Sequence, residues 1–112
     1  MDYRQIADDF AVTGQITAED IPAVKAAGFK SIICNRPDQE EAGQLPHDGI
    51  QAAAEAAGLA FAYIPVVSGQ ITPENVADMA DALGELDGPV FAYCRSGARS
   101  TNLYMMAKQS RG

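Results

Sequence analysis

Basic residues are scarce in this chain and unevenly placed. Its 112 residues carry 8 lysines and arginines against 15 acids, a formal net charge of −7. That balance argues against nucleic acid and anionic membrane as partners, because both recruit clustered cations. Between Arg36 and Arg95 there is no lysine or arginine at all. Cysteine is equally sparse. Cys34 and Cys94 stand far apart, which gives neither a disulfide framework nor metal-ligand spacing. A reduced, cytoplasmic compartment is expected, with no metal and no cofactor. His47 is expected in a loop near a helix start and has no metal-binding companions in the sequence. No apolar run reaches membrane-spanning length, and Met1-Asp2-Tyr3-Arg4 lacks the basic and apolar regions of a secretory signal. The remaining composition, 47% apolar and 21% charged, is that of a globular chain able to bury one core, so residues 1–112 are expected to form a single domain.

One stretch organises the rest. Val90-Phe91-Ala92-Tyr93 is a short apolar run introduced by Gly88-Pro89, the pattern of a strand covered on both faces. It ends on Cys94, turns through Arg95-Ser96-Gly97-Ala98, and continues from Arg99 with Leu103, Met106 and Ala107 at helical spacing. Gly97 can take a positive φ at little cost. A loop of this kind aims backbone N–H groups and the positive end of a helix at one small volume. Such a field favours a thiolate and attracts an anion. Arg95 and Arg99 enter together at this loop in an otherwise acidic protein, which marks a pocket for a small anion rather than two solvated side chains.

Upstream, Phe10-Ala11-Val12 is expected as the first strand, followed by a helix capped at Thr17 with Ile21, Val24 and Ala27 turned inward and Gly28 at its end. Ser31-Ile32-Ile33-Cys34 is the second strand, stopped by Asn35-Arg36-Pro37-Asp38. An acidic, flexible loop follows from Gln39 to Leu45, then an alanine-rich helix from Pro46 to Gly58. Phe61-Ala62-Tyr63-Ile64 forms the third strand. Thr72-Pro73-Glu74 opens a helix whose stripe is Val76, Met79, Leu83 and Leu86, with Asp78, Asp81 and Glu85 toward solvent. Thr13-Gly-Gln-Ile-Thr-Ala-Glu-Asp20 echoes Ser68-Gly-Gln-Ile-Thr-Pro-Glu-Asn75, and shared helix-start chemistry accounts for much of it. The alternation predicts a single α/β domain with a four-stranded, mainly parallel sheet flanked by helices. Parallel sheets bind ligands beyond the carboxyl ends of their strands, where Cys94 falls.

Gly14-Gln15-Ile16-Thr17, the Asn35-Arg36-Pro37-Asp38 corner and Cys94-Arg95-Ser96-Gly97-Ala98-Arg99-Ser100 together resemble the bacterial beta-lactamase-hydrolase-like family of phosphatase-like proteins, over essentially the whole chain. The resemblance implies the fold of dual-specificity tyrosine phosphatases. It also implies rhodanese-like sulfur transfer, alone or fused to persulfide-oxidising hydrolases. Tyrosine phosphatases carry cysteine, five residues, then arginine, usually with a preceding histidine. In this chain four residues separate Cys94 from Arg99, Ser100 takes the phosphatase arginine position, and Tyr93 replaces the histidine. The Cys-Arg-x-Gly-x-Arg loop is similar to the shorter rhodanese loop. A phosphatase also needs an acid for its leaving group. The loop that normally provides it reads Val66-Val67-Ser68-Gly69-Gln70-Ile71 and has no carboxylate.

These features favour a sulfurtransferase. Cys94 would attack the outer sulfur of thiosulfate or a small persulfide, with Arg95 and Arg99 holding the anionic donor. The N–H groups from Arg95 through Ser96, Gly97 and Ala98 to Ser100 would stabilise the persulfide, and a thiol such as glutathione would accept the sulfur. A persulfide-oxidising enzyme is the expected protein partner. The alternatives are a cysteine-dependent phosphatase using Asp38 as its acid, and a non-catalytic anion- or persulfide-binding module. Ser100 either donates to the Cys94 sulfur or caps the last helix. Cys34 reads as a small buried side chain rather than a resolving thiol. Arg36 and Asp38 read as residues that stabilise their corner.

Overall fold

The computed structural model describes residues 2–111, so Met1 of the opening segment and the final Gly112 lie outside the described residues. Its strands are β1 (Arg4–Ala7), β2 (Phe10–Thr13), β3 (Ser31–Cys34), β4 (Ala60–Tyr63) and β5 (Val90–Tyr93). The helices are α1 (Ile21–Ala26), α2 (His47–Ala56), α3 (Pro73–Glu85) and α4 (Ala98–Arg111), with a 3-10 turn over Ala18–Asp20 before α1. The sheet has five strands in the order β1-β2-β5-β3-β4, and only β1 runs antiparallel to its neighbour.

The single α/β domain and its mainly parallel sheet are as expected, but the count of four strands was short by one. Arg4–Ala7 pairs with β2 at the sheet edge, where Arg4 and Gln5 are exposed and only Ile6 and Ala7 are half-buried. An edge ribbon with so little apolar content leaves no alternation to detect. β3 and β5 are buried along their whole length, and side-chain alternation sends neighbouring residues to opposite faces. Phe10, Val12, Ile33 and Ala92 pack with Met79 of α3 and Leu103 of α4. Ala11, Ile32, Phe91 and Tyr93 pack on the other side with Ile21 and Val24 of α1 and Ile50 and Ala54 of α2. The result is a sheet between two helical layers.

Two inward assignments change. Ala27 lies just past α1, exposed beside Gly28 at φ 99°, and Phe29 fills the core there instead. Met106 is 41% exposed, because α4 turns Ser100, Leu103, Tyr104 and Ala107 inward. Tyr104 stacks on Phe10 with ring centroids 4.1 Å apart. The sequence echo is capping chemistry. The Thr17 N–H donates to Asp20 Oδ2 at 2.9 Å, and the Thr72 N–H donates to Asn75 Oδ1 at 2.9 Å.

The carboxyl ends of three adjacent strands finish level, with Thr13 and Cys34 both in register with Tyr93. Backbone bonds continue past them: the Cys94 N–H donates to Thr13 O at 3.3 Å and the Asn35 N–H to Tyr93 O at 2.8 Å. This staple holds the loop after β5 between the loops after β2 and β3. Gly14 is part of the fit, because a Cβ there would sit 2.8 Å from the Arg95 carbonyl oxygen. Gly14→Ala is therefore expected to cost roughly 1–3 kcal/mol through overpacking. Thermal unfolding checks this, and an unchanged melting temperature would contradict it.

Candidate active site

Cys94 is the first residue after β5, and its side chain has no exposed surface. The chain then reverses through Gly97, at φ 93°, and starts α4 at Ala98. Gly97 adopts this backbone because a side chain would be strained there, and its Cβ would also lie 3.0 Å from Arg4 Nη2. The reversal points several amides back at the sulfur. The Gly97 N–H reaches Cys94 Sγ at 3.0 Å. Burial acts against charge on Cys94, but the N–H groups of Ser100, Ser96 and Gly97, with the Ser100 hydroxyl, outweigh it and lower the thiol pKa. The Ser100 hydroxyl is buried without a hydrogen-bond partner among the described residues, close enough to the thiol to favour its charged form.

The arginines do not stand free over this cup. Arg99, buried on the first turn of α4, donates to Glu40 Oε2 at 2.5 Å, Glu40 Oε1 at 2.9 Å and the Val66 carbonyl at 2.9 Å. Arg36, only 5% exposed, donates from Nε to Glu40 Oε1 at 2.9 Å and from Nη1 to Gln15 Oε1 at 3.0 Å. Arg95 is a rim residue, its Nε 2.8 Å from Glu41 Oε1, and Arg36 Nη2 reaches the same oxygen at 3.3 Å. The Arg99 guanidinium beside Glu40 holds its carboxyl below the usual carboxylate range, with Arg36 adding to the effect against a smaller burial penalty. Glu40, Glu41, Ser68, Arg95, Ser96, Ala98 and Arg99 line a cavity of about 600 Å³.

Glu40 and Glu41 are the site residues that sequence reasoning missed. They lie in the segment expected to be a flexible acidic loop, and that description needs correction. The Gln44 amide accepts from the N–H groups of Glu40 at 3.0 Å and Glu41 at 3.3 Å, and donates to the Pro37 carbonyl at 2.9 Å. The available signal was the i,i+4 spacing of Arg36 and Glu40, together with the two otherwise unpartnered arginines of the cysteine loop.

Asp38 lies elsewhere. Its carboxylate accepts from the His47 backbone N–H at 2.8 Å and lies 2.8 Å from His47 Nδ1, with that ring stacked on Tyr63. It fixes the corner and the start of α2, so the proposed use of Asp38 as an acid is not met by this geometry. His47 opens α2 rather than sitting in the loop. Cys34 is buried at the end of β3, its thiol donating to the Arg36 carbonyl at 3.4 Å, and burial pushes its pKa up to about 11. Among the described residues, no group of three or more His, Cys, Asp or Glu could hold a metal ion, and no helix is long and apolar enough to cross a membrane.

Solved structures of similar overall shape place the chain among known folds. A candidate phosphatase from Neisseria meningitidis is 32% identical, covers 97% of this chain and 78% of its own, and superposes with a TM-score of 0.86. The core catalytic domain of a PP-IP phosphatase from S. cerevisiae, 12% identical over 85% of this chain and 56% of its own, has a TM-score of 0.64 and speaks to the fold alone. The fold is therefore that of phosphatase-like α/β domains. Within it, the chain belongs to the family described as Beta-lactamase hydrolase-like protein, phosphatase-like domain, whose profile matches residues 2–110. A beta-lactamase hydrolase-like protein of Agrobacterium fabrum is 38% identical over 104 residues, 93% of this chain and 24% of the relative. The chain thus spans about a quarter of the length of that relative.

The two cysteines should titrate apart. Thiolate absorbance, taken as the difference between wild type and Cys94→Ser, is expected to rise at a pH below that of an ordinary thiol, and Ser100→Ala should move the step upward. A depressed folded pKa adds stability above the unfolded value and loses it as pH falls through the folded one. The stability cost of Cys94→Ser should therefore shrink on acidification. A Cys94 step near that of Cys34, at about 11, would contradict the assignment.

Proposed function

We propose that this domain is a cysteine-dependent phosphatase that hydrolyses phosphate monoesters through a phosphocysteine at Cys94. The observation that carries the reading is the Cys94 sulfur at the focus of the loop amides, with its pKa lowered, beneath an arginine-rimmed cavity. Membership in a phosphatase-like family supports it. In the first step the thiolate attacks phosphorus while the loop N–H groups take the equatorial oxygens. Arg99 is pre-aimed by Glu40 and Val66, and its Nε–H has no partner among the described residues, which leaves a donor for a phosphoryl oxygen. Ser100 holds the sulfur as an anion when water releases the phosphate. Cys94 is buried in this conformation, so attack on a substrate requires its surroundings to open.

A second reading rests on one specific observation, the four-residue spacing between Cys94 and Arg99. A shorter loop closes a smaller ring of donors, which suits a single persulfide sulfur. On this reading a small anionic donor such as thiosulfate would load Cys94 with sulfur and a thiol such as glutathione would remove it.

Intact mass after brief incubation separates the two readings. Rapid quenching with an aryl phosphate should leave one phosphoryl group on Cys94, with none on Cys94→Ser, and phosphate release should depend on Cys94. Gain of one sulfur atom from thiosulfate, without phosphate release from aryl phosphates, would replace the phosphatase with the transferase.

A further inference from the structure

We propose that Glu41, in the loop between β3 and α2, is the proton donor to the leaving group, an assignment that rests on the phosphatase reading above. The loop after β4, which passes the cavity at Ser68, offers no carboxylate. Only two carboxylates line the cavity among the described residues, Glu40 and Glu41. Glu40 is committed: both of its oxygens accept from Arg99, one also accepts from Arg36, and its proton affinity is held down. Glu41 is differently placed. The shortest contacts of its ion pairs, to Arg95 and Arg36, both fall on Oε1, and Oε2 accepts no hydrogen bond among the described residues. Its side chain is 46% exposed at the cavity rim, where the leaving group of a bound monoester would point.

Substrate binding also rearranges the ion pairs of Glu41. Arg95, 67% exposed at the rim, exchanges Glu41 for a phosphoryl oxygen. Glu41 then keeps one cation, Arg36, at Oε1. As the sulfur–phosphorus bond forms and the phosphorus–oxygen bond to the leaving group breaks, the Glu41 O–H proton moves to that departing oxygen, giving an alcohol or phenol and a Glu41 carboxylate. Water then attacks the phosphocysteine and gives a proton to Glu41, the sulfur leaves with its electron pair as thiolate, and phosphate departs. The cycle balances with water as the sole co-reactant.

Leaving-group dependence tests this with the intact chain. Glu41→Gln should lower kcat on phenyl phosphate, whose leaving group needs a proton, by about a hundredfold. On para-nitrophenyl phosphate, whose leaving group departs as a stable anion, the loss should be only a few-fold. Glu40→Gln, which acts through Arg99, should lower both alike. Equal losses on the two esters in Glu41→Gln, or no loss, would overturn the assignment while leaving the phosphatase standing, as would the split appearing in Glu40→Gln. Wild-type protein inert toward both esters would overturn the phosphatase reading and this assignment with it.

Discussion

The structure depends on one constraint, a cysteine sulfur held at the end of a fully buried strand where inward-turned loop amides lower its pKa. Burial alone would keep Cys94 neutral, as it does for Cys34 a strand away, whose pKa rises to about 11. The difference between the two thiols is the reversal at Gly97. It turns the loop N–H groups inward at Cys94, whereas at Cys34 the Tyr93 hydroxyl and the Arg36 backbone only partly offset burial. Backbone amides cost no side-chain entropy to hold in place, and the level ends of β2, β3 and β5 fix them from both sides.

Counter-charge follows from the same constraint. Bringing Arg36, Arg95 and Arg99 to one cup in a chain of net charge −7 would leave three guanidiniums facing each other, two of them buried. The loop from Gln39 to Leu45 answers this with Glu40 and Glu41. Breaking a buried pair by removing one partner is strongly destabilising, so the loop is structural as well as chemical. It divides its two carboxylates between those tasks. Glu40 aims Arg99, and Glu41 remains at the rim with an oxygen to spare.

Much of this was legible along the chain. Ser31–Cys34 and Val90–Tyr93 have the bounds expected of them, because each is a short run of largely apolar residues between polar or turn-forming ones. The cysteine loop was visible because its parts are consecutive. What escaped notice was long-range or weakly apolar. Arg99 and Glu40 are 59 positions apart, and no local pattern tells a solvated acidic loop from one folded onto arginines. Asp38 was a reasonable candidate for an acid by its place after β3, but a histidine nine residues on captured its carboxylate to start α2. Ala27 and Met106 failed for a simpler reason: helix phase is sensitive to where the helix starts and stops, and each end lay a residue away from its expected place.

The central claim is that the loop from Cys94 to Ser100 forms one anion cup. A crystal soaked with tungstate, a tetrahedral oxyanion with strong anomalous scattering, tests it most directly. The account predicts a tungsten peak above Cys94 Sγ, with its oxygens on the N–H groups of Ser96, Gly97 and Ser100 and on Arg99, and the Glu41–Arg95 pair parted. A peak on exposed arginines away from the sulfur, or no peak in the cup at saturating tungstate, would contradict it.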